Sequence, residues 1–569
     1  MKSHVLSAAK TKYILFACMT LLLCFFALSS NAEHQDGWRN ALTISFDETH
    51  AYEIAYDDVL RDFYMARDGR AFWLASGKDG TIRAAVLLKA LEESWTHGLN
   101  PAHYNVDVIR AFLDGMSGAD HDPAGIELLI AASAIQYGRD LSGMRVDPAA
   151  IRQKAEYWRQ PAAPDEILAH ITKPRDLAKA LDTLYPQGNH YRALRDELVR
   201  LSVADDNFDH LLPLDFGGYY VFRPGQAHPD IKALRRVLGA ENIESAVYDD
   251  DLAAMVMAFQ KENGLTPDAL IGSQTRSALN LTNRGRIEQI IVNLERQRWL
   301  EQERPDRYIL VNIPQQVLWA VENGQVAHEM KVIVGARGRN TNDFKTDITG
   351  VRFNPTWTVP NSIKVRDIWP RAQKDPYYLV DSQIEIFHGY GREAVTIDPL
   401  SVDWNNVSRR EVMGMRFVQR PGNHNALGRI RVLMPNEYNI YLHDTNMPDL
   451  FGQGHRALSS GCVRLSDPEA IARFVMKGQP NWSEERMTDI LATRRMTDIH
   501  IDNPFPAYIV YNTIWMDEQQ ELVFGYDLYG WDERLLKALA EMDGYHIPAP
   551  PAPQVAELAV TAQGVAYTR

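Results

Sequence analysis

The spacing of apolar residues changes once along the chain, and this change limits the architecture more than any other feature of the sequence. Up to about residue 300 the apolar residues recur at helical spacing, as in "AAVLLKALEESW" and "GIELLIAASAIQYGRDL". From about residue 307 they alternate with polar residues, as in "RYILVNI" and "QQVLWAVENGQVAHEMKVIVG", which is typical of strands. Asn323-Gly324, between two alternating runs, predicts a hairpin. Glu518-Gln519-Gln520, between "PAYIVYNTIWMD" and "ELVFGYDLYGWD", predicts a second one. We therefore expect a multidomain α+β chain with a helical N-terminal region followed by a mostly-β domain.

Residues 1–32 have the pattern of a secretory signal peptide. Three lysines precede an apolar run over 13–28, and Ser30-Asn31-Ala32 supplies a small-x-small cleavage site. An uncleaved membrane anchor is the alternative. Cleavage would change the formal charge from −14 to −17, because three lysines and no acidic residues are lost. Such an acidic chain is a poor ligand for nucleic acid, so we expect no nucleic-acid partner.

Turn signals and composition divide the rest of the chain into further segments. These are a helical scaffold domain over 33–222, a compact unit of three short helices over 223–282, the mostly-β domain over 307–495, strands and a helix over 496–547, and a disordered proline-rich tail over 548–569. Residues 362–425 interrupt the mostly-β domain. An insertion of this length is typical of a lid, with a decorative surface insertion as the alternative.

Once residues 1–32 are removed, Cys462 is the only cysteine left, so internal disulfides are excluded. A free thiol in an oxidising compartment is at risk of oxidation, which indicates a functional reason for keeping it. In "RALSSGCVRL" the flexible Gly461 lets the amides of Ser460, Gly461 and Cys462 converge on an oxyanion, and Ser459 adds little bulk. We expect Cys462 to be a nucleophile, with a small buried hydrophobic residue as the alternative.

A cysteine nucleophile needs a base, and two histidines lie close in sequence. His443 ends the predicted strand "YNIYLH", whereas His455 lies in the glycine-rich loop "LFGQGHRAL". Because a strand end holds an imidazole more firmly than a loop, we favour His443. His443, His455 and Cys462 could instead bind zinc, but no ligand pair has tight spacing and no fourth ligand is evident. We therefore expect no metal and no cofactor.

Two motifs resemble known families. Within 223–282, "FQKENGLTPDALIGSQTRSAL" resembles the peptidoglycan-binding module of bacterial cell-wall enzymes, with a helical spacer that binds nothing as the alternative. "YNIYLHDT" followed by "SSGCVRL" resembles the catalytic signature of the L,D-transpeptidases of the YkuD type. Ser460 stands where many members have a second histidine. Together with the scaffold and the insertion, the chain resembles the large periplasmic members with a capping subdomain.

The resemblance implies a reaction on peptidoglycan. Cys462 would attack the amide before the terminal D-Ala of a tetrapeptide stem, release D-Ala and form a thioester, and the side-chain amine of a second stem would then form a 3→3 cross-link. The resemblance also implies the periplasm, a role in cell-wall biogenesis and cell shape, inhibition by carbapenem-type β-lactams, and cell-wall synthases as candidate partners. An L,D-carboxypeptidase and a non-catalytic wall-binding protein are the alternatives.

The resemblance further implies roles for residues around the motif. A main-chain carbonyl in the Asp444 region would orient the His443 ring. Arg464 would hold the loop or meet a substrate carboxylate, with a surface salt bridge as the alternative. The full set of substrate-binding candidates is Ser459, Arg464, Asp444, Asn354, Trp357 and Tyr441. For the two aromatic residues, core packing is the alternative.

Overall fold

The computed structural model describes residues 42–46, 52–75, 78–115, 122–203, 214–218 and 221–543. The signal peptide and the tail predicted at 1–32 and 548–569 lie outside these residues. The described chain divides into two compact units, one formed by residues up to 145 together with 160–186, the other by 146–159 and the residues from 187 onward.

The first unit is helical, as the sequence predicts. Its helices are α1 (Asp57–Met65), α2 (Lys78–Glu92), α3 (Val106–Leu113), α4 (Pro123–Ser142), α5 (Pro164–Thr172) and α6 (Leu177–Asp182). Helix α4 is buried along most of its length, which explains why its sequence is apolar on nearly every side. Its buried Glu127 accepts hydrogen bonds from the Tyr64 hydroxyl and from the amides of Phe72, Trp73 and Leu74. A charged group therefore braces the helical core.

The second unit begins with helices. They are α7 (Asn189–Ser202), the three short helices α8 (Asp230–Leu238), α9 (Asp250–Glu262) and α10 (Ser273–Leu279), and the long α11 (Asn283–Trp299). The three short helices share a small core that includes Phe222, Ile231 and Leu252. The buried Gln260 side chain accepts from the Asp268 and Ala269 amides and donates to the Leu270 carbonyl oxygen, which fixes the turn between α9 and α10.

A nine-stranded sheet follows, in the order β11-β3-β12-β10-β9-β4-β13-β1-β2. Its strands are β1 (Arg307–Asn312), β2 (Val317–Glu322), β3 (Gln325–Gly335), β4 (Phe344–Phe353), β9 (Ile430–Leu433), β10 (Leu442–His443), β11 (Ala457–Ser459), β12 (Val463–Leu465) and β13 (Thr497–Val510). The predicted hairpin is confirmed: Glu322 pairs with Gln325, and Asn323 and Gly324 both have positive φ. Helices α16 (Pro468–Met476) and α17 (Glu484–Thr493) contribute to the core of this domain.

The predicted end of the mostly-β domain at residue 495 is wrong. Strand β13 begins at Thr497 and lies between β4 and β1, inside the sheet. Its alternating pattern identified a strand, but alternation does not tell which sheet a strand joins, because the pairing is set by contacts distant in sequence. After β13, β14 (Ile514–Met516) and β15 (Leu522–Phe524) form the second predicted hairpin, and α18 (Trp531–Asp543) ends the described chain.

The insertion has a sheet and a core of its own. Strands β5 (Trp357–Thr358), β6 (Ile384–His388), β7 (Val395–Ile397) and β8 (Met415–Gln419) pair in the order β5-β8-β6-β7. The helical segments α12 (Asn361–Ile363), a π-helical turn (Lys364–Ile368), α13 (Trp369–Lys374), α14 (Tyr378–Asp381) and α15 (Arg409–Gly414) accompany this sheet. Buried Ile368, Trp404 and Phe417 belong to its core. We call residues 357–419 the cap.

None of the helices in the described part of the chain combines the length and the apolarity that crossing a bilayer requires.

Candidate active site

A row of charged and ionisable residues crosses five adjacent strands on one face of the large sheet. Asp498 on β13 pairs with Arg352 on β4, and Arg352 in turn pairs with Arg431 on β9. Arg431 lies opposite His443 on β10, and His443 lies opposite Arg464 on β12. Residues that are paired across strands point to the same face, so the sheet register alone brings these five side chains into one line.

The opposite face of the same strands is apolar. Val351, Val432, Leu442 and Val463, each next in sequence to a member of the row, are 0% exposed. Because side chains alternate between the faces of a strand, the burial of these residues directs their neighbours to the other face. The alternating sequence pattern therefore fixes the orientation of His443 as well as the core.

His443 is held in one tautomer by the backbone. Its Nδ1 lies within hydrogen-bond distance of the Asp444 carbonyl oxygen, and since a carbonyl only accepts, Nδ1 must carry the proton. This is the main-chain carbonyl region to which the family resemblance pointed. Burial and the charges of Arg464 and Arg431 together lower the pKa of His443 to about 3, against the opposing effect of the hydrogen bond to Asp444. At neutral pH, Nε2 is therefore an unprotonated acceptor.

The Asp444 side chain supports this arrangement. Its carboxylate accepts from the amides of Arg429 and Thr445, both at 2.7 Å. Gly428 has a φ of +59°, and a Cβ at that position would lie 2.2 Å from the Asp444 carboxyl carbon. The turn before β9 therefore needs glycine, and Asp444 acts as a brace for the strand end that carries His443.

Cys462 lies beside the same cations as His443. The amide of Val463 donates to the Tyr441 carbonyl oxygen at 2.9 Å, so Cys462 falls next to Tyr441, two residues before His443. Burial raises the pKa of the Cys462 thiol, whereas a backbone hydrogen bond at Tyr441 and the charges of Arg431 and Arg464 lower it. The thiol makes a weak contact of 3.7 Å with the Asn439 carbonyl oxygen. Arg431 and Arg464 thus act on both the thiol and the imidazole.

The loop before Cys462 is fixed by hydroxyl groups. The Ser459 hydroxyl accepts from the Gly461 amide at 3.1 Å and donates to the Cys462 carbonyl oxygen at 2.6 Å. The buried Thr341 hydroxyl donates to the Gly461 carbonyl oxygen at 2.7 Å. Gly461 has a φ of +120°, in the region that favours glycine. The bend predicted at Gly461 is therefore present, and it is held from both sides.

Two of the three amides expected to face an oxyanion remain available. The Gly461 amide does not, because the Ser459 hydroxyl already accepts from it. The amides of Ser460 and Cys462 have no acceptor among the described residues. Ser459 is 2% exposed and uses its hydroxyl inside the loop, so it braces the turn and is not placed to contact a substrate. The sequence could not show this, because a serine hydroxyl can turn either way.

Two further residues predicted to contact the substrate, Asn354 and Trp357, instead have side chains that contact other parts of the fold. Asn354 is 1% exposed, and its amide group donates to the carbonyl oxygens of Ile490 and Arg495. Trp357 lies on β5 and packs against the core of the cap. For Trp357 the structure thus favours the core-packing alternative. Sequence position near the motif was a weak guide here, because neither residue lies in the row of side chains.

Tyr441, Ser460 and Arg464 remain near the thiol. The Tyr441 ring lies under the Arg431 guanidinium, whose central carbon is 3.5 Å from the ring centroid. Ser460 is exposed, and its hydroxyl accepts from Arg339 at 3.4 Å and from Arg366 at 3.2 Å. Arg464 is half-buried, and its guanidinium has neither a hydrogen bond nor an ion pair with any described residue. The salt bridge that would have made Arg464 a plain surface residue is thus not found there.

The second histidine lies elsewhere. His455 Nδ1 is 3.1 Å from the side-chain nitrogen of Gln274, which belongs to α10 of the three-helix unit. Thr266 of the same unit packs so closely on Gly454 that a Cβ there would lie 1.6 Å from its hydroxyl oxygen. Within the described residues, no group of three or more His, Cys, Asp and Glu side chains could hold a metal ion. The zinc alternative, which required His443, His455 and Cys462 together, finds no support in this geometry.

Of the arginines near the thiol, the sequence pointed to Arg464 but not to Arg352, Arg431, Arg339 or Arg366. Arg352, Arg431 and Arg464 each alternate with buried valines in short strands, so the sequence did contain a common signal. Recognising it required knowing that β4, β9, β10 and β12 are neighbours. Arg339 and Arg366 approach from a loop and from the cap, and no local pattern marks them.

Comparison with family models identifies three domains. Residues 306–482 match "L,D-transpeptidase catalytic domain" of the YkuD family, residues 58–198 match "Scaffold domain", and residues 228–279 match "Putative peptidoglycan binding domain". A Haemophilus influenzae protein named "Putative L,D-transpeptidase" is 30% identical over 297 residues. That alignment covers 51% of this chain and 57% of the relative, so the chain matches less than two thirds of its length.

Solved structures with similarity to this chain include an L,D-transpeptidase from Mycobacterium smegmatis, at 11% identity and a TM-score of 0.19, covering 36% of this chain and 58% of that one. The L,D-transpeptidase from Xylanimonas cellulosilytica is 15% identical with a TM-score of 0.16, covering 51% and 97%. An L,D-transpeptidase in complex with imipenem is 12% identical with a TM-score of 0.17, covering 36% and 59%. The chain carries a catalytic domain of the L,D-transpeptidase family, preceded in sequence by a scaffold domain and a peptidoglycan-binding domain.

Proposed function

We propose that this protein is a cysteine-dependent L,D-transpeptidase that forms 3→3 cross-links in peptidoglycan. One observation carries the proposal: the register of β10 and β12 sets His443 and Cys462 beside the same two guanidiniums, while Nδ1 of His443 is committed to the Asp444 carbonyl oxygen. Nε2 is then the nitrogen left to accept a proton. A thiol, a fixed neutral base and free amides are the components that acyl transfer requires.

In the proposed acylation, the Cys462 thiol proton moves to Nε2 of His443 as Sγ bonds to the carbonyl carbon of the third stem residue. The C–N bond to the terminal D-Ala breaks, and the leaving amine takes the proton from the imidazolium. A thioester remains. The side-chain amine of a second stem then attacks the thioester, forms the new amide and returns the proton to Cys462. The proton and the thiol are both restored at the end of the cycle.

The developing oxyanion needs donors, and the amides of Ser460 and Cys462 are our candidates. The positive φ of Gly461 turns the chain between them, and the Thr341 and Ser459 hydroxyls hold that turn. Preorganised donors of this kind are worth roughly 10²–10³ in rate each in acyl-transfer enzymes. The buried hydroxyls of Thr341 and Ser459 would keep the loop in this geometry while the thioester forms and is resolved.

The domain content supports a substrate in the cell wall. A peptidoglycan-binding domain would bring the catalytic domain to its polymer, and we propose that the protein acts in the periplasm after export through residues 1–32. The same reasoning makes tetrapeptide stems the donors and acceptors, and cell-wall synthases remain candidate partners.

The direct test is to incubate the protein with a disaccharide-tetrapeptide and to weigh the products. We expect mainly a cross-linked dimer that has lost one D-Ala, with the tripeptide as a minor product, and no reaction by the Cys462→Ala variant. Tripeptide alone at high acceptor concentration would identify a carboxypeptidase. No product from a folded protein would favour the non-catalytic wall-binding alternative.

A reactive thiol beside free amides should also open a strained β-lactam. We expect a carbapenem to add one drug mass per chain. The thiol attacks the lactam carbonyl and the C–N bond of the ring breaks, but the nitrogen stays attached through the rest of the opened ring. Intact-mass spectrometry with peptide mapping checks that the mass lies on Cys462. The Cys462→Ala variant is the control, and a folded wild-type protein that acquires no mass would contradict the assignment of Cys462 as nucleophile.

A further inference from the structure

Two arginines from different parts of the fold meet at the hydroxyl of Ser460. Arg339 follows strand β3 and donates from Nη1 at 3.4 Å, and Arg366 of the cap donates from Nη2 at 3.2 Å. Two guanidiniums repel each other, and a neutral hydroxyl does not compensate either charge. Such an arrangement is suited to an anion that would lie between the two and accept from both.

The surrounding charges leave an excess of positive charge at this point. Asp367 pairs with Arg366 at 2.7 Å, and the guanidiniums of Arg366, Arg339 and Arg371 together hold the pKa of this carboxyl below its usual range. Arg464, whose charge acts on both Arg339 and the Cys462 thiol, extends the positive region to the nucleophile. One carboxylate thus faces three guanidiniums, and a fourth lies beside the thiol, in a chain whose formal charge is −14.

The backbone of the cap fixes the position of Arg366. This residue lies in the π-helical turn Lys364–Ile368, a rare conformation that is often found at functional sites. Lys364, in the same turn, is 2% exposed and donates from Nζ to the carbonyl oxygens of Met413 and Met415. The side chain of Arg366 is 43% exposed and that of Asp367 is 34% exposed. The buried Lys364 side chain therefore anchors the turn, while the side chains of Arg366 and Asp367 remain accessible to solvent.

The distance from the thiol suggests which anion would bind. Ser460 precedes Cys462 by two residues, so their Cα atoms are at most about 7 Å apart. In the proposed reaction the residue that leaves carries its α-carboxylate one residue beyond the bond that breaks. We propose that Arg339 and Arg366, together with the Ser460 hydroxyl, bind the α-carboxylate of this leaving residue. This inference rests on the proposed function.

The site would select stem peptides by their length. The α-carboxylate of the last residue lies at this distance only when the peptide ends one residue after the scissile bond, so the pair would select such stems over longer ones. It would also select a free carboxylate over a neutral carboxamide of the same shape. The cap would thereby contribute specificity directly, through Arg366.

The first experiment compares two donors that differ only at the C-terminus, a disaccharide-tetrapeptide with a free carboxylate and the same compound with a carboxamide. We expect the wild-type protein to prefer the carboxylate by roughly 10–100-fold in kcat/KM, the range expected for hydrogen bonds to a charged group. Arg339→Gln and Arg366→Gln should each reduce this preference, mostly through KM for the carboxylate donor. Arg366→Lys should retain part of it.

The matched control is Arg420→Gln. Arg420 belongs to the loop directly after β8, pairs with the single carboxylate of Glu385 at 2.6 Å, and is 62% exposed. Its replacement makes the same change in net charge, and we expect it to leave the preference unchanged. If Arg420→Gln lowers the preference as much as Arg366→Gln does, the effect is one of overall charge and the proposed carboxylate site is wrong.

A second experiment needs no turnover and so separates this inference from the proposed function. Iodoacetate and iodoacetamide alkylate the same thiol but differ in charge, and peptide mapping reports the rate at Cys462 alone. We expect Arg339→Gln and Arg366→Gln to lower the iodoacetate rate relative to the iodoacetamide rate, whereas Arg420→Gln should not. A shift in this ratio without any peptide turnover would leave the anion site standing and overturn the proposed function. An unchanged ratio in both variants would overturn the anion site itself.

Discussion

At the scale of single residues, the site is defined by a histidine that is kept neutral. Burial and the two flanking guanidiniums, Arg431 and Arg464, all oppose a positive charge on His443, while the Asp444 carbonyl oxygen fixes its tautomer. Burial also keeps the Cys462 thiol protonated at neutral pH. The resting pair is therefore a neutral thiol and a neutral imidazole, and in the proposed reaction the proton would move only when the substrate is attacked.

The two histidines near Cys462 should differ sharply when they are replaced. His443→Ala should lower the rate of acylation by roughly 10²–10⁴-fold, the usual contribution of a general base. His455→Ala is the matched control, because its ring contacts Gln274 instead of the row on the sheet. Single-turnover release of D-Ala measures both. A larger loss in His455→Ala than in His443→Ala would show that the loop imidazole is the base.

The pH dependence of acylation should reveal the lowered pKa of His443. A base with a pKa of about 3 stays unprotonated as the pH falls through 6.5, so activity should persist into acid and decline only well below the range of an ordinary histidine. The kcat/KM for the tetrapeptide, measured from pH 4 to pH 9 with circular dichroism to verify folding, checks this. An acid limb centred near 6.5 would indicate a solvated imidazole and contradict the prediction.

At the scale of elements, the cap is a second small domain whose two ends lie close together. It has its own sheet and core, and the Asn425 side chain donates to the Pro355 carbonyl oxygen at 3.1 Å, just outside each end. Among the described residues, its contact with the loop before Cys462 is the hydrogen bond from Arg366 to Ser460. A unit joined in this way can be removed without breaking the large sheet.

Replacing residues 357–419 by a short glycine-serine linker should therefore affect substrate capture more than stability. If the cap is a lid that supplies Arg366, we expect KM for the tetrapeptide to rise about tenfold or more. Thermal denaturation of the large sheet should change little, and alkylation of Cys462 by neutral iodoacetamide should continue. If the kinetics match those of the wild-type protein, the cap is surface decoration.

The elements also show what the sequence could predict. Alternating patterns identified the strands and both hairpins, because those patterns follow from local burial and turn chemistry. The motif identified Cys462 and His443 as candidates, because the residues that define the motif are also close together in the sequence. The order of strands in the sheet, and with it the arginines around the thiol, depends on pairing between residues as distant as Arg352 and Asp498. No pattern within a short segment encodes that pairing.

At the scale of the whole second unit, the peptidoglycan-binding domain contacts a loop that leads into the candidate active site. The loop over residues 446–456 joins the strand of His443 to the strand that leads to Cys462, and it contacts Thr266 and Gln274 of that domain. Arg456 fixes the end of the loop through the carbonyl oxygens of Gln316 and Val332. The loop is thus held by the sheet on one side and by the binding domain on the other.

A methyl group at the contact should disturb the site from a distance. Gly454→Ala would place a Cβ 1.6 Å from the Thr266 hydroxyl oxygen, so the loop must shift. We expect a loss of acylation rate of up to roughly 10²-fold, since small misplacements cost that much in an active site. Gly452→Ala, in the same loop with open space around it, should cost far less, and adding Thr266→Gly to Gly454→Ala should restore activity. Equal losses in Gly452→Ala and Gly454→Ala would show that the contact is irrelevant.

Through this shared loop, binding of a glycan to the domain and acylation of Cys462 would be thermodynamically coupled. If a glycan on the domain changes the loop, and an acyl group on Cys462 also changes it, each event alters the equilibrium of the other by the same factor. Binding that favours the acyl-enzyme would then be strengthened by it and weakened again once the thioester is resolved. The acyl-enzyme would then bind the glycan more tightly than the free enzyme does. Its affinity would fall again once the acyl group is transferred, so that the protein could dissociate and move along the wall after each cross-link.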